Sequence, residues 1–403
     1  MRFIVSLEVP SEGIQAFVDD WRDRRPKDVK ILLRPHISAE VINGAQLLTV
    51  VEAKKLSPIT DYCRSLEGQG AKVQLISIYD DKSTSRELKK YQSAKRRTER
   101  HNRKVKIRKL KGVGSTKNLT ILPLIDWRTN QEGLMVETGV SYLVRTDGNT
   151  ILFDTGLNSR EEDPSPLLRN MEKLGVTLNE IDTIFITHNH GDHVGGVKWA
   201  ENKTFSVTGR QDPLSGVKVY VPTMMTYPGL EPMYARDPMV IGEGVASTGT
   251  IANSMYFWGF TEEQSLAVKV DGKGLVLIVG CGHQTVPRLL ERAIALFDEP
   301  IYGLIGGLHY PVMGGPTELY GYALHKYAGT GKPPWEHITV GELNANIELL
   351  KGLNLGLVAL SPHDSSEVSM RAFRDAFPDA YRNLRVGEPI KVPETFTKYI
   401  PDK

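Results

Sequence analysis

The stretch FITHNHGDHVGG, Phe185–Gly196, puts His188, His190, Asp192 and His193 within six residues of a chain that holds ten histidines in all. The apolar run IDTIFIT leads into it and reads as a buried strand, while Gly191, Gly195 and Gly196 argue that the polar side chains sit on the turn after that strand and not within a helix. A turn splays closely spaced side chains, so His188 and His190 can converge on one cation while Asp192 and His193 reach a second. Imidazole suits zinc and similar first-row ions, and a carboxylate adds charge and geometry. Two such ions about 3.5–4 Å apart can share a bridging hydroxide, because metal-bound water ionises near neutral pH. That supplies a nucleophile without serine or cysteine. The plainer alternative, four satisfied polar residues in a loop, fits poorly, since histidines this close repel one another once protonated.

Outside this stretch the chain is unremarkable in composition. Its 403 residues call for two domains or one large domain with an appendage. With 40% hydrophobic and 24% charged residues it reads as soluble and globular. No apolar run approaches the roughly 18 residues of a membrane span, and MRFIVSLEVPSEG carries acids too early for a secretory signal, so no membrane partner and a cytoplasmic location are expected. Cys63 and Cys281 are too few for a disulfide framework, which leaves them as thiols or metal ligands. The net charge of +2 is unevenly spread, for Lys82–Gly112 holds 14 of the 50 Lys and Arg residues against two glutamates.

Patterning divides the chain in three. Residues 1–81 alternate strand and helix signals in the order βαββαβ: MRFIVSLEV, then Ile14, Phe17, Val18 and Trp21 at helical spacing, VKILLRPHI and AQLLTVVEA around an Asn-Gly turn, Ile59, Cys63 and Leu66 on a second helix, and AKVQLISIY. That order is a ferredoxin-like α+β unit, in which His36 reads as a strand-end polar residue. Residues 82–117 form a basic linker with helical composition and no clear apolar face. It is either a solvated helix or a patch for phosphates and other anions, with only Tyr91 available for base stacking. Residues 118–403 alternate apolar strands with helices, as in a layered α/β domain.

The cluster matches the H-x-H-x-D-H signature and so resembles the metallo-β-lactamase superfamily, the likeness running from about residue 118 to 392. ILFDTG resembles that family's early strand and turn, where Asp154 is a buried support for the metal loop. VSYLVRTDGNTILFDTG, STGTI, EEQSLAVKV, GLVLIVGCGHQTV, IYGLIGGLHY and LVALSPHDSS further resemble the branch that includes the archaeal dihydropterin-ribofuranosylaminobenzene-phosphate synthase. The resemblance implies a metallo-β-lactamase-like αββα sandwich behind the small ferredoxin-like domain. It also implicates Cys281, His283, His309 and His363. His363 falls where the superfamily has its last metal-binding histidine. His283 is a metal ligand or a helix cap, and Cys281 a metal ligand or a buried structural thiol. His309 is a substrate contact and proton donor to the leaving group, or a supporting histidine. The chain departs from the common pattern in having no histidine between His193 and His283. Either His283 takes that role from a new direction, or the first metal has one protein ligand fewer.

The expectation is a metal-dependent hydrolase whose metal-bound hydroxide, with Asp192 and His309 as catalytic residues, attacks a phosphoester, lactone or amide of a small molecule. The metal ligands are His188, His190, Asp192, His193, Cys281, His283 and His363. They would hold two divalent ions, zinc first and iron or manganese as alternatives. Other readings are a pterin-linked transferase, a nuclease or nucleic-acid binder using the basic segment, and a non-catalytic regulatory protein. A homodimer or higher oligomer is expected. Specificity falls to long loops around the metal mouth, where Met224, Met225, Tyr227, Tyr234, Tyr320, Tyr322 and Trp335 either line a pocket or pack beneath the loops.

Overall fold

The computed structural model describes residues 2–10, 29–41, 44–53, 72–78, 81–255, 258–312, 331–332 and 338–393, with side chains described from Lys89 onward. The chain divides into two compact units, Met1–Gln92 and Ser93–Lys403.

In the first unit, β1 (Arg2–Pro10), β2 (Val29–Val41), β3 (Gly44–Ala53) and β4 (Lys72–Ile78) form an antiparallel sheet in the order β2-β3-β1-β4. The two helices expected between these strands lie outside the described residues. His36 is on β2, opposite Leu48, and its side chain is likewise outside them. The basic segment forms α1 (Asp81–Lys104), and the division between units falls within this helix.

The second unit is built on two facing sheets. The first has the order β10-β9-β8-β7-β6-β5-β19. Its strands are β5 (Leu119–Ile125), β6 (Ser141–Thr146), β7 (Thr150–Phe153), β8 (Thr183–Phe185), β9 (Lys218–Val221), β10 (Met233–Tyr234) and β19 (Ile390–Val392). The other runs β11-β12-β15-β16-β17-β18, with β11 (Met239–Gly242), β12 (Val245–Ser247), β15 (Leu266–Val270), β16 (Gly274–Val279), β17 (Ile301–Gly306) and β18 (Leu357–Leu360). A separate hairpin joins β13 (Ile251–Met255) to β14 (Gly259–Glu263).

Period-two alternation sorts side chains into three cores. On β16, Val276 and Ile278 point between the sheets, where they meet Phe153, Phe185 and Tyr142 of the first sheet. Leu275, Leu277 and Val279 point the other way, into a core with α4 (Val286–Leu296), α5 (Val340–Lys351) and α6 (Glu367–Ala376) through Leu289, Leu343 and Phe373. Both faces of β16 are buried, which is why GLVLIV is continuously apolar. The first sheet repeats the scheme: Leu152 turns outward to Leu167 and Met171 of α2 (Pro166–Lys173), while α3 (Val197–Glu201) follows the histidine turn. The layers are therefore helix, sheet, sheet, helix. Inner-face rings of Tyr142, Phe153 and Phe185 stack across three neighbouring strands at 5.7 and 5.8 Å.

Candidate metal centre

Strands β7, β8 and β9 run parallel, as do β16, β17 and β18. The chemically interesting residues all follow the carboxyl ends of these strands, where α/β sheets open into clefts: Asp154 after β7, Thr187 and His188 after β8, Cys281 and His283 after β16, His309 after β17, and His363 after β18. Asp154 and His309 sit at φ 55° and 53°, left-handed backbone that non-glycine residues seldom adopt.

Three groups of ligand atoms form there, each within 4.8 Å: Asp192, His193, Cys281 and His363; His188, Cys281 and His283; and His188, His190 and Asp192. Cys281, Asp192 and His188 each belong to two groups. Cys281 Sγ lies 3.0 Å from His193 Nε2 and 3.2 Å from His363 Nε2. Ring centroids of His188 stand 4.1 Å from His193, 4.5 Å from His190 and 5.0 Å from His283. His309 joins no group. Its ring is 4.9 Å from that of His283, and its backbone N–H donates to Asp364 Oδ2 at 2.8 Å.

Buried polar partners aim the imidazoles. Asp154 accepts from the Thr187 N–H and hydroxyl, both at 2.7 Å, and its Oδ2 is 2.7 Å from His193 Nδ1. Thr187 Oγ1 is 3.0 Å from His188 Nδ1. Asp126 accepts from Tyr142 at 2.8 Å and from Ser361 at 2.7 Å, and Ser361 Oγ is 2.6 Å from His363 Nδ1. With Nδ1 engaged in this way, the Nε2 atoms of His193 and His363 turn toward Cys281, an arrangement that fixes tautomer and ring orientation in metal sites.

The electrostatics favour a cation. Burial and then its imidazole neighbours push the His188 pKa well below the usual histidine value, and burial brings His190 down to about 4. Burial opposes the charge of Asp192, but His193 and His190 hold it ionised. His188 and His190 thus present neutral nitrogen lone pairs beside a carboxylate, whereas at His193 burial is outweighed by Cys281, Asp192 and Asp154, which raise its pKa. His188 Nε2 is buried with no hydrogen-bond partner among the described residues, an arrangement that costs free energy unless a ligand or cation satisfies it. On both counts these residues fit a divalent ion.

Residues 134–216 match the metallo-β-lactamase superfamily. The likeness covers the part of the larger unit that carries Asp154 and the histidine turn. The chain is 24% identical over 242 residues, half its length and 80% of the relative's, to 7,8-dihydropterin-6-methyl-4-(β-D-ribofuranosyl)-aminobenzene-5′-phosphate synthase of Methanocaldococcus jannaschii. A 56-residue stretch, 14% of this chain and 20% of the other, is 38% identical to the anti-Pycsar protein Apyc1 of Saccharibacillus brassicae. Among solved structures, the short form of human tRNase Z matches 67% of this chain and 98% of its own at 15% identity and a TM-score of 0.38. That structural likeness is too distant to carry function.

Several polar residues of this site had no role legible in sequence. Asp126, Ser361, Thr187 and Glu263 lie in otherwise apolar or mixed segments far apart in the chain. Of the loop residues, Met225 and Tyr227 are buried in the core beneath the first sheet, Met224 is 70% exposed, and Tyr234 donates to Glu262. Tyr320, Tyr322 and Trp335 lie outside the described residues.

Proposed function

We propose that this chain is a metal-dependent hydrolase acting on a phosphoester, lactone or amide of a small molecule, with two zinc ions held by His188, His190, Asp192, His193, Cys281, His283 and His363. The observation that carries the reading is the sharing of ligands: His188, Asp192 and Cys281 each fall in two of three adjacent ligand groups, which would suit a pair of neighbouring cations. A soft thiolate among imidazoles favours zinc over harder ions. Such ions, when bound, polarise a substrate oxygen and lower the pKa of water into the neutral range.

The chain's own residues supply the rest. Asp192 keeps its negative charge beside three imidazoles and so balances the cations. Asp126, through Ser361, and Asp154 hold His363 and His193 in one tautomer. His309, with its backbone tied to Asp364, is the proton donor to the leaving group. The test is hydrolysis of phosphodiester, lactone and β-lactam panels by the full chain before and after chelation. His188→Ala and Asp192→Asn should each abolish turnover while the fold is kept; turnover surviving both would contradict the assignment.

A second reading is favoured by the match to the pterin synthase over most of that enzyme's length: transfer of a pterin group from its pyrophosphate to a second substrate instead of to water. Incubation with a pyrophosphate-activated pterin separates the two, since a transferase releases pyrophosphate only when a second substrate is present.

A further inference from the structure

Hairpin β13–β14 has two faces with different partners. One face meets the metal cluster: Glu263 Oε1 accepts from the N–H groups of Cys281 at 3.2 Å and Gly282 at 2.8 Å, Asn253 Nδ2 donates to the His283 carbonyl at 2.7 Å, and Thr261 Oγ1 lies 3.3 Å from His190 Nε2. Asn253 and Thr261 are directly opposed in the ladder, as are Ile251 and Glu263. The Cys281 and Gly282 N–H groups and the His283 carbonyl are therefore all tied to this hairpin. The intervening residues face the last turns of α1. Arg97 sits 3.9 Å over the Phe260 ring, and His101 bridges Glu262 at 3.2 Å and Thr250 at 2.8 Å. Asn102 both donates to and accepts from the Ala252 backbone, at 3.0 and 2.9 Å.

We propose that this hairpin is the frame that holds the Cys281–His283 turn in ligating position, with Glu263 as its principal positioning residue and α1 locking it from behind through His101 and Asn102. The inference rests on the reading of the cluster as a metal centre. Glu263 is fully buried and touches none of the reacting atoms, so its effect is through backbone placement. The amide of Asn102 pairs with both polar groups of Ala252, as a neighbouring strand would, and with Arg288, which also donates to the Ala252 carbonyl at 3.0 Å, it closes the β13 edge away from β14. The inner side of the basic helix thus has a structural task separate from the charges on its outer side.

Cobalt titration of the full-length chain tests this, read by the thiolate-to-cobalt charge-transfer band that reports Cys281 ligation and by competition with a chelator. Glu263→Ala should weaken cobalt binding by about 10–100-fold, the range for residues that orient metal ligands, and diminish the band. Glu263→Gln should restore both, because its amide oxygen still accepts the two N–H groups. Asn102→Ala should move in the same direction as Glu263→Ala, whereas Arg96→Ala with Arg100→Ala, on the exposed side of α1, should leave affinity and band at wild-type values. Wild-type affinity and band in both Glu263→Ala and Asn102→Ala would overturn the proposal; should Glu263→Ala fail to fold, Asn102→Ala alone decides. A wild-type chain that binds no cobalt would instead defeat the metal reading itself.

Discussion

Asp126 sets the behaviour of a residue it never touches. Its carboxyl is fully buried, and burial raises its pKa to about 6, yet it accepts hydrogen bonds from Tyr142, Ser361 and the Trp127 N–H. Asp126→Ala takes away the acceptor of the Tyr142 and Ser361 hydroxyls, at about 1–3 kcal/mol each, and loosens the hold of Ser361 on the His363 ring. A lower thermal midpoint and roughly 10–100-fold weaker zinc binding are expected, measured by calorimetry and chelator competition. Residues of this kind explain what sequence could and could not convey. His188, His190, Asp192 and His193 are legible because one turn gathers them at short spacing. Cys281, His283 and His363 are legible because each follows a strand and matches a family motif. Asp126 closes an apolar run and Glu263 sits in the polar strand GFTEE, both remote from the histidine turn in the chain, and an acid in either setting carries no sign of what it will face.

At the scale of elements, close approach between strand ends decides what the site tolerates. Gly307 follows β17, and a side chain there would overlap the Gly280 carbonyl and come within 2.7 Å of His363 Cε1. Gly307→Ala should therefore displace the loops after β16 and β18 together, seen as lost zinc affinity and a reduced thermal midpoint. Leu277, fully buried between β16 and its covering helices, should lose about 2–5 kcal/mol on change to Ala in denaturant unfolding. Asp147 belongs to the turn between β6 and β7. Hydrogen bonds from Asn118, the Lys117 N–H and Thr116 lower its pKa to about 2. A depressed folded-state value stabilises the fold above the unfolded pKa, near 4, and the benefit disappears as pH falls through about 2. Asp147→Asn should accordingly be less stable than wild type at pH 7 and converge with it toward pH 2 in thermal melts. The strands β5 to β8 and β16 to β18, and helices α4 and α6, were legible from apolar runs and helical periodicity. Hairpin β13–β14 was not, because IANSM and GFTEE place polar residues on both faces, one set serving the cluster and the other serving α1.

For the molecule as a whole, the sandwich follows from two sheets whose strands bury both faces, and the ligands follow from where those strands end. The basic segment looked like a linker in sequence because its apolar residues are few. From Ser93 onward, Ala94 and Thr98 are buried, and His101 and Asn102 bond to the hairpin and to Thr250 just before it. Among the described residues no helix is long and apolar enough to cross a membrane. The proposed hydrolase activity of the larger unit depends on cations held by these imidazoles, Asp192 and Cys281. The decisive measurement is the metal content of the purified full-length chain, taken together with hydrolysis before chelation, after it and on adding zinc back. About two divalent ions per chain are expected, with activity lost on their removal and restored by zinc; a metal-free chain that stays fully active and indifferent to chelators would rule the proposal out.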